Sequence, residues 1–240
     1  MAEELGRIQK PSVEEFREGK KLVFVPLLFA PGEEADVVEK VNRYWDQVDT
    51  HIANLEAKLG EVKKVFHEMV HAGGEEGAKA VEELNKGSHR IVRSRMAQGA
   101  ELEPLEDGEL LNEFVDWNRC LLIGLQSQAA TSKVYEFYME AQKKRNEHMA
   151  KRIEEALGEG GVGLLLMREG HQVQFPADVQ VFYVSPPALD EIRRWLRDMA
   201  AQAQRPSPEG AEEAAAGEKA ETEERSDAED TSQPEGSEAQ

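Results

Sequence analysis

The reading of this chain turns on VNRYWDQVDTHIANLEAKLGEVKKVFHEM, residues 41–69. Val41, Trp45, Val48, Ile52, Leu55, Leu59, Val62, Phe66 and Met69 recur at alternating spacings of four and three. An a/d seam held over four heptads predicts one long helix packed against partner helices, as in a coiled coil. Gly60 is its weak point, at ~1 kcal/mol relative to alanine. Because the apolar phase runs through Gly60 unbroken, the helix is expected to start near Glu33 or Glu34 and to continue to Gly73-Gly74. At ~1.5 Å per residue such a rod would reach ~57 Å. His67, Glu68 and His71 would then ride at positions b, c and f, on its solvated side.

Outward from that stretch, residues 22–30 (LVFVPLLFA) form a continuous apolar run that predicts a buried strand, with Pro26 arguing for an edge, bulge or break. Ser12-Val13-Glu14-Glu15 has capping-box spacing and predicts a short helix to Gly19. A second helix fits 75–97, where Gly77, Gly87 and Ser88 thin the apolar face, and 99–107 reads as a loop broken by Pro104. A third helix carries Leu110, Phe114, Trp117, Leu121 and Leu125; a fourth, capped by Thr131 or Ser132, runs to Leu157. Residues 162–167, 172–175 and 179–184 read as short strands, separated by a turn at Arg168-Glu169-Gly170-His171. Ser185-Pro186-Pro187 opens a last amphipathic helix to about residue 202. The expected architecture is α+β and mostly α: a long-helix antiparallel bundle (33–157) inserted in a small mixed sheet (22–30 and 162–184), within one domain of residues 1–204.

The chain carries a net charge of −19. Residues 205–240 contain no Val, Ile, Leu, Met or aromatic side chain and hold a net −9, leaving −10 on the rest. Such a segment cannot bury enough apolar surface to offset its ordering entropy, so a disordered acidic tail is expected. Phosphate contacts need clustered Lys and Arg, which argues against nucleic acid as a partner. The basic run Lys143-Lys144-Arg145 is interleaved with glutamates, as on a solvated helix face. Cys120 is the single cysteine and forms no intrachain disulfide. No apolar run reaches the ~20 residues that span a bilayer, and residues 1–10 lack the apolar core of a signal peptide. The expectation is a cytoplasmic protein without membrane or nucleic-acid partners.

Three readings of function follow. The seam, with Trp45, Trp117, Tyr135, Phe137 and Tyr138 on the bundle helices, suggests protein–protein contact through a helix that outruns its bundle, with a homodimer as one form. His67-Glu68-Met69-Val70-His71 is a literal H-E-x-x-H. On a helix, that spacing puts two imidazoles on one face to bind Zn²⁺ while Glu68 activates the metal-bound water, as in zincin metalloproteases, which it resembles over this one motif. The chain holds no histidine at the spacing of the long zincin form, where Gly77 stands. No cofactor other than that zinc is implied.

The third reading starts from Arg145-Asn146-Glu147-His148-Met149-Ala150, followed by the strand of 162–167 and the turn to His171. This resembles the TraB/ChaN/TIKI superfamily, with its R-N-x-x-M-A helix and a following strand that ends in a glycine-containing turn and a histidine. The resemblance implies site roles for Arg145 and His171 at the carboxyl end of a strand, where open α/β sheets hold ligands. The family's N-terminal G-T-x-H has no counterpart between Val25 and Gly32, and its acidic residue after the second strand would be Glu68.

Overall fold

In a computed structural model, which describes residues 19–29, 32 and 35–203, the apolar register of residues 41–69 is divided at Gly60. Helix α1 (Ala35–Leu59) buries Val37, Tyr44, Trp45, Val48 and Ile52 along one stripe. Gly60 ends it at φ +104°, where L side chains are strained, with its N–H donating to the Glu56 carbonyl at 3.0 Å. Four residues later the chain enters strand β2 (Lys64–His67). The single rod from residue 33 to residue 73 is therefore not formed, and His67 and Glu68 are buried rather than solvated. The heptad phase survived the break because β2 is covered on both faces. A doubly buried strand is apolar at successive positions and satisfies any phase laid over it.

The remaining elements are α2 (Gly74–Leu84), α3 (Lys86–Ala97), β3 (Glu101–Glu103), α4 (Gly108–Leu122), α5 (Gln128–Ala156), β4 (Val162–Met167), β5 (Val179–Tyr183) and α6 (Pro187–Ala203), after β1 (Lys20–Pro26). The helix expected over 75–97 is two, because Asn85 adopts extended backbone and caps α3 by accepting the Ser88 N–H at 3.0 Å. The expected loop at 99–107 contains β3, and Ser127, rather than Thr131 or Ser132, caps α5. Residues 172–175 form no ladder. The expected helix from Ser12 and the tail of 205–240 lie outside the described residues.

The sheet has the order β3-β2-β4-β1-β5, and every pair in it is parallel. The mixed sheet expected from sequence is thus an all-parallel one: helices make the crossovers from β1 to β2, β2 to β3 and β3 to β4, and residues 168–178, without a helix, carry the chain from β4 past β1 to β5. Pro26 is tolerated in a central strand because it is the last residue of β1, beyond the end of the β5 pairing at Phe24–Tyr183. One face (Val23, Val25, Val65, Leu164, Leu166) packs against α1, α2, α3 and the start of α6; the other (Leu22, Phe24, Phe66, Leu165, Met167) packs against Met149, Ile153 and Leu157 of α5. In place of one uninterrupted bundle between the first and second strands, β2 and β3 alternate with the helices, and α4 and α5 pair as a hairpin. The chain divides after Ile192; the second unit is described only as the last turns of α6, to Ala203.

Gly87 marks where α3 seats on α1. A Cβ there would stand 2.1 Å from Nε1 of the fully buried Trp45. Gly87→Ala is expected to lower the unfolding free energy by about 1–3 kcal/mol through overpacking. Chemical denaturation reads this directly; an unchanged midpoint would mean that α3 does not seat on Trp45.

Candidate active site

Successive side chains of a strand leave it on opposite faces, and this separates the residues of the H-E-x-x-H motif. His67, the last residue of β2, turns toward α3: Nε2 lies 2.9 Å from the Ser88 hydroxyl and Nδ1 lies 2.6 Å from the Glu68 carbonyl. Burial pushes its pKa down to about 4, only partly opposed by the Glu68 carbonyl and carboxylate. The ring is therefore neutral, donating through Nδ1 to the Glu68 carbonyl and leaving Nε2 as an acceptor that faces the Ser88 hydroxyl, whose single proton also has the Asn85 carbonyl within reach at 3.1 Å. Glu68 leaves on the other side, toward α5. Met69 follows with φ +68°, the one described non-glycine residue in the left-handed region, and Val70 closes the turn on the His67 carbonyl at 3.3 Å. His71 is then exposed beside Gly108.

Glu68 enters a buried cluster of alternating charge. Arg145, on the inward face of α5, donates through Nε to Glu106 Oε2 at 2.8 Å and through Nη2 to Glu106 Oε1 in a very short contact. The same Nη2 reaches Glu68 Oε1 at 3.4 Å, and the guanidinium lies 4.7 Å from the centre of the Phe114 ring. Glu106, just beyond β3, also accepts the backbone N–H of Met69 at 3.0 Å. Glu68 accepts the backbone N–H of Arg168 at 2.9 Å and its Nη2 at 2.9 Å. Burial alone would raise the Glu68 carboxyl, but the Arg168 hydrogen bonds and the charges of Arg168 and Arg145 hold it below the ordinary carboxylate range. Burial would likewise discharge Arg145, and its two carboxylate partners outweigh that.

Glu68, Glu106 and Arg168 each follow the carboxyl end of a strand: β2, β3 and β4. Glu68 and Arg168 line a cavity of about 440 Å³ together with Arg145, which Glu106 holds from outside the lining. Phe114, Asn118, Tyr138, Gln142 and Asn146 add the lining contributed by the α4–α5 hairpin. His171 lines the same cavity, its ring 5.0 Å from Phe24 and 5.4 Å from Phe175, and its Nδ1 is buried without a hydrogen-bond partner. Burial lowers its pKa, with the Glu68 charge acting in the opposite sense. A larger open groove of about 1210 Å³ runs along α5 beside residues 172–176. Its charged side chains (Glu140, Lys143, Glu147, Lys151, Glu154) are all exposed, whereas the smaller cavity is lined by the buried charges Glu68 and Arg145.

Of the residues singled out in the sequence, Glu68, Arg145 and His171 come together here, whereas His67 faces α3 and His71 faces solvent. The helix on which the zinc reading rests is a strand end and a turn, and among the described residues no three His, Cys, Asp or Glu side chains gather as a metal-holding group. Sequence reasoning passed over Glu106 and Arg168, which fall in a loop and a turn with no periodicity to mark them. Fold and site define a parallel α/β protein with a polar cavity at the carboxyl edge of its sheet, the usual ligand position in such sheets. No family model, curated protein or solved structure matches the chain.

The buried neutral imidazole of His67 gives a pH signature. Folding lowers its pKa from 6.5 to about 4, so between those values the unfolded chain binds more protons than the folded one. The associated stability is complete above pH 6.5 and is lost as the pH falls toward 4, by about 3 kcal/mol in all. His67→Asn should flatten the stability profile between about pH 6.5 and 5, a window above the carboxylate range. An identical slope in the variant would show that His67 is not buried neutral.

Proposed function

We propose that the chain is a hydrolase working by general-base catalysis, with His171 as the base and Arg168 as the donor to developing negative charge. The observation that carries this is the buried Glu68–Arg145–Glu106 cluster set beside His171, which lines the cavity and whose buried Nδ1 has no hydrogen-bond partner. Buried ion pairs contribute little net stability after desolvation, so retaining two carboxylates and a guanidinium at the carboxyl edge of a sheet favours a site over a scaffold. Arg145, Glu106 and Glu68 are fixed by one another and serve to position. Arg168 is half-exposed at the cavity, with Nη1 unused by Glu68. His171, kept neutral by burial, has the protonation state a base needs at pH 7.

We further propose a TraB/ChaN/TIKI-like architecture. Arg145 and His171, to which that resemblance gives site roles, line one cavity, and Glu68 directly follows the second strand. Both features support the likeness. The absent N-terminal histidine leaves His171 as the only imidazole among the residues lining the cavity.

Hydrolysis of p-nitrophenyl acetate tests the reading. The wild-type chain should turn the ester over with a rate that is already level at pH 7, because the base titrates below the ordinary histidine value. His171→Ala should lose about 10²-fold or more with an unaltered melting temperature, and Arg168→Met should lower kcat more than it raises KM. Equal rates for wild type and His171→Ala would remove His171 from the mechanism.

A further inference from the structure

The hairpin that walls the cavity ends in an apex of unusual composition. Leu121 and Leu122 end α4 and Ile123-Gly124-Leu125 open the link to α5; Leu122 and Ile123 are 77% and 72% exposed, the most exposed large apolar side chains among the described residues. Gly124 turns the chain there at φ +73°. Residues 117–135 are also the longest stretch without Asp or Glu in a chain of net charge −19. Behind the apex come Trp117 stacked on Phe137 at 4.9 Å, with Tyr135 exposed beside them. The two cations of the stretch, Arg119 and Lys133, reach back to Asp116 at 3.2 Å and Glu136 at 2.6 Å, where acidic residues resume.

From the apex the order is aliphatic (Leu121 to Leu125), then the cations Arg119 and Lys133, then Trp117 and Tyr135, with the first acids at Asp116 and Glu136. At ~1.5 Å per residue, Asp116 lies ~9 Å below Leu122 along α4, and Glu136 ~12 Å from the start of α5. An acid-free cap of that height matches the ~5–10 Å to which amphipathic elements enter the headgroup–acyl boundary, with aromatic rings at headgroup level and cations near lipid phosphate. We infer that the apex of the α4–α5 hairpin docks on a phospholipid surface by inserting Leu122 and Ile123. No described helix is long and apolar enough to cross a membrane; the contact is interfacial and requires none. A second copy fits the apex less well, because two protruding aliphatic side chains per copy fall far short of the ~800 Å² per partner of a stable interface. The same helices supply Phe114, Asn118, Tyr138 and Gln142 to the cavity, so docking would hold that cavity close to the lipid surface.

Co-sedimentation of the full chain with phosphatidylcholine vesicles, and with phosphatidylcholine–phosphatidylglycerol vesicles, tests this. The wild type should pellet with phosphatidylcholine alone, and Leu122→Ser/Ile123→Ser should partition about ten-fold less or weaker still, with an unchanged far-UV melt because both side chains lie outside the core. A wild type that stays in the supernatant with both vesicle types overturns the inference. So does a double variant that pellets as well as the wild type. A wild-type dimer in sedimentation equilibrium that dissociates in the double variant would assign the apex to a second copy instead. None of these outcomes depends on ester hydrolysis.

Discussion

Arg145 held between two buried carboxylates is the constraint on which the site depends. Its guanidinium joins the ends of three strands to a helix that crosses above them: Glu68 follows β2, Glu106 follows β3, and Arg168, paired with Glu68, follows β4. Each charge is nearly or wholly out of water except that of Arg168. Such a cluster holds together only while every member is present, since one unpaired charge left in that position would cost more than the pairing contributes. Glu68, Arg145 and Glu106 therefore act as one unit beside the cavity that His171 lines.

The turn after β2 converts this electrostatic demand into backbone geometry. His67 is drawn to Ser88 on one face and Glu68 to the arginines on the other, while the Met69 N–H is drawn to Glu106. Meeting all three in consecutive residues holds Met69 in the left-handed region, which costs a non-glycine residue of order 1–3 kcal/mol. Strain of this kind persists where surrounding structure over-determines it, and here hydrogen bonds on both sides do so.

Some of this was legible in the sequence. Glycine-bounded 162–167 reads as a strand and is one, helices form where the apolar spacing puts α4 and α5, and the family resemblance pairs Arg145 with His171. The error at Gly60 has a specific cause: β2 is apolar on both faces, so periodicity could not tell its residues from the next turns of a helix. That error carried the histidine pair to the wrong surface and hid the fact that Glu68 follows a strand. Glu106 and Arg168 were not legible at all, because their roles arise from strands far apart in the chain meeting at one edge. No local pattern encodes that meeting. The all-parallel sheet follows from the same omission, since β2 and β3 are the strands that turn a helical insertion into alternating crossovers.

The unfolding free energy of Arg145→Met beside that of Arg145→Met/Glu106→Gln tests the cluster most directly. If Glu106 is buried against Arg145, the single substitution strands a carboxylate and costs about 3–5 kcal/mol. Neutralising Glu106 in the same chain should then recover part of that loss, a coupling of the sign expected for residues in contact. Losses that simply add would mean that the two side chains do not meet, and the site described around them would not exist.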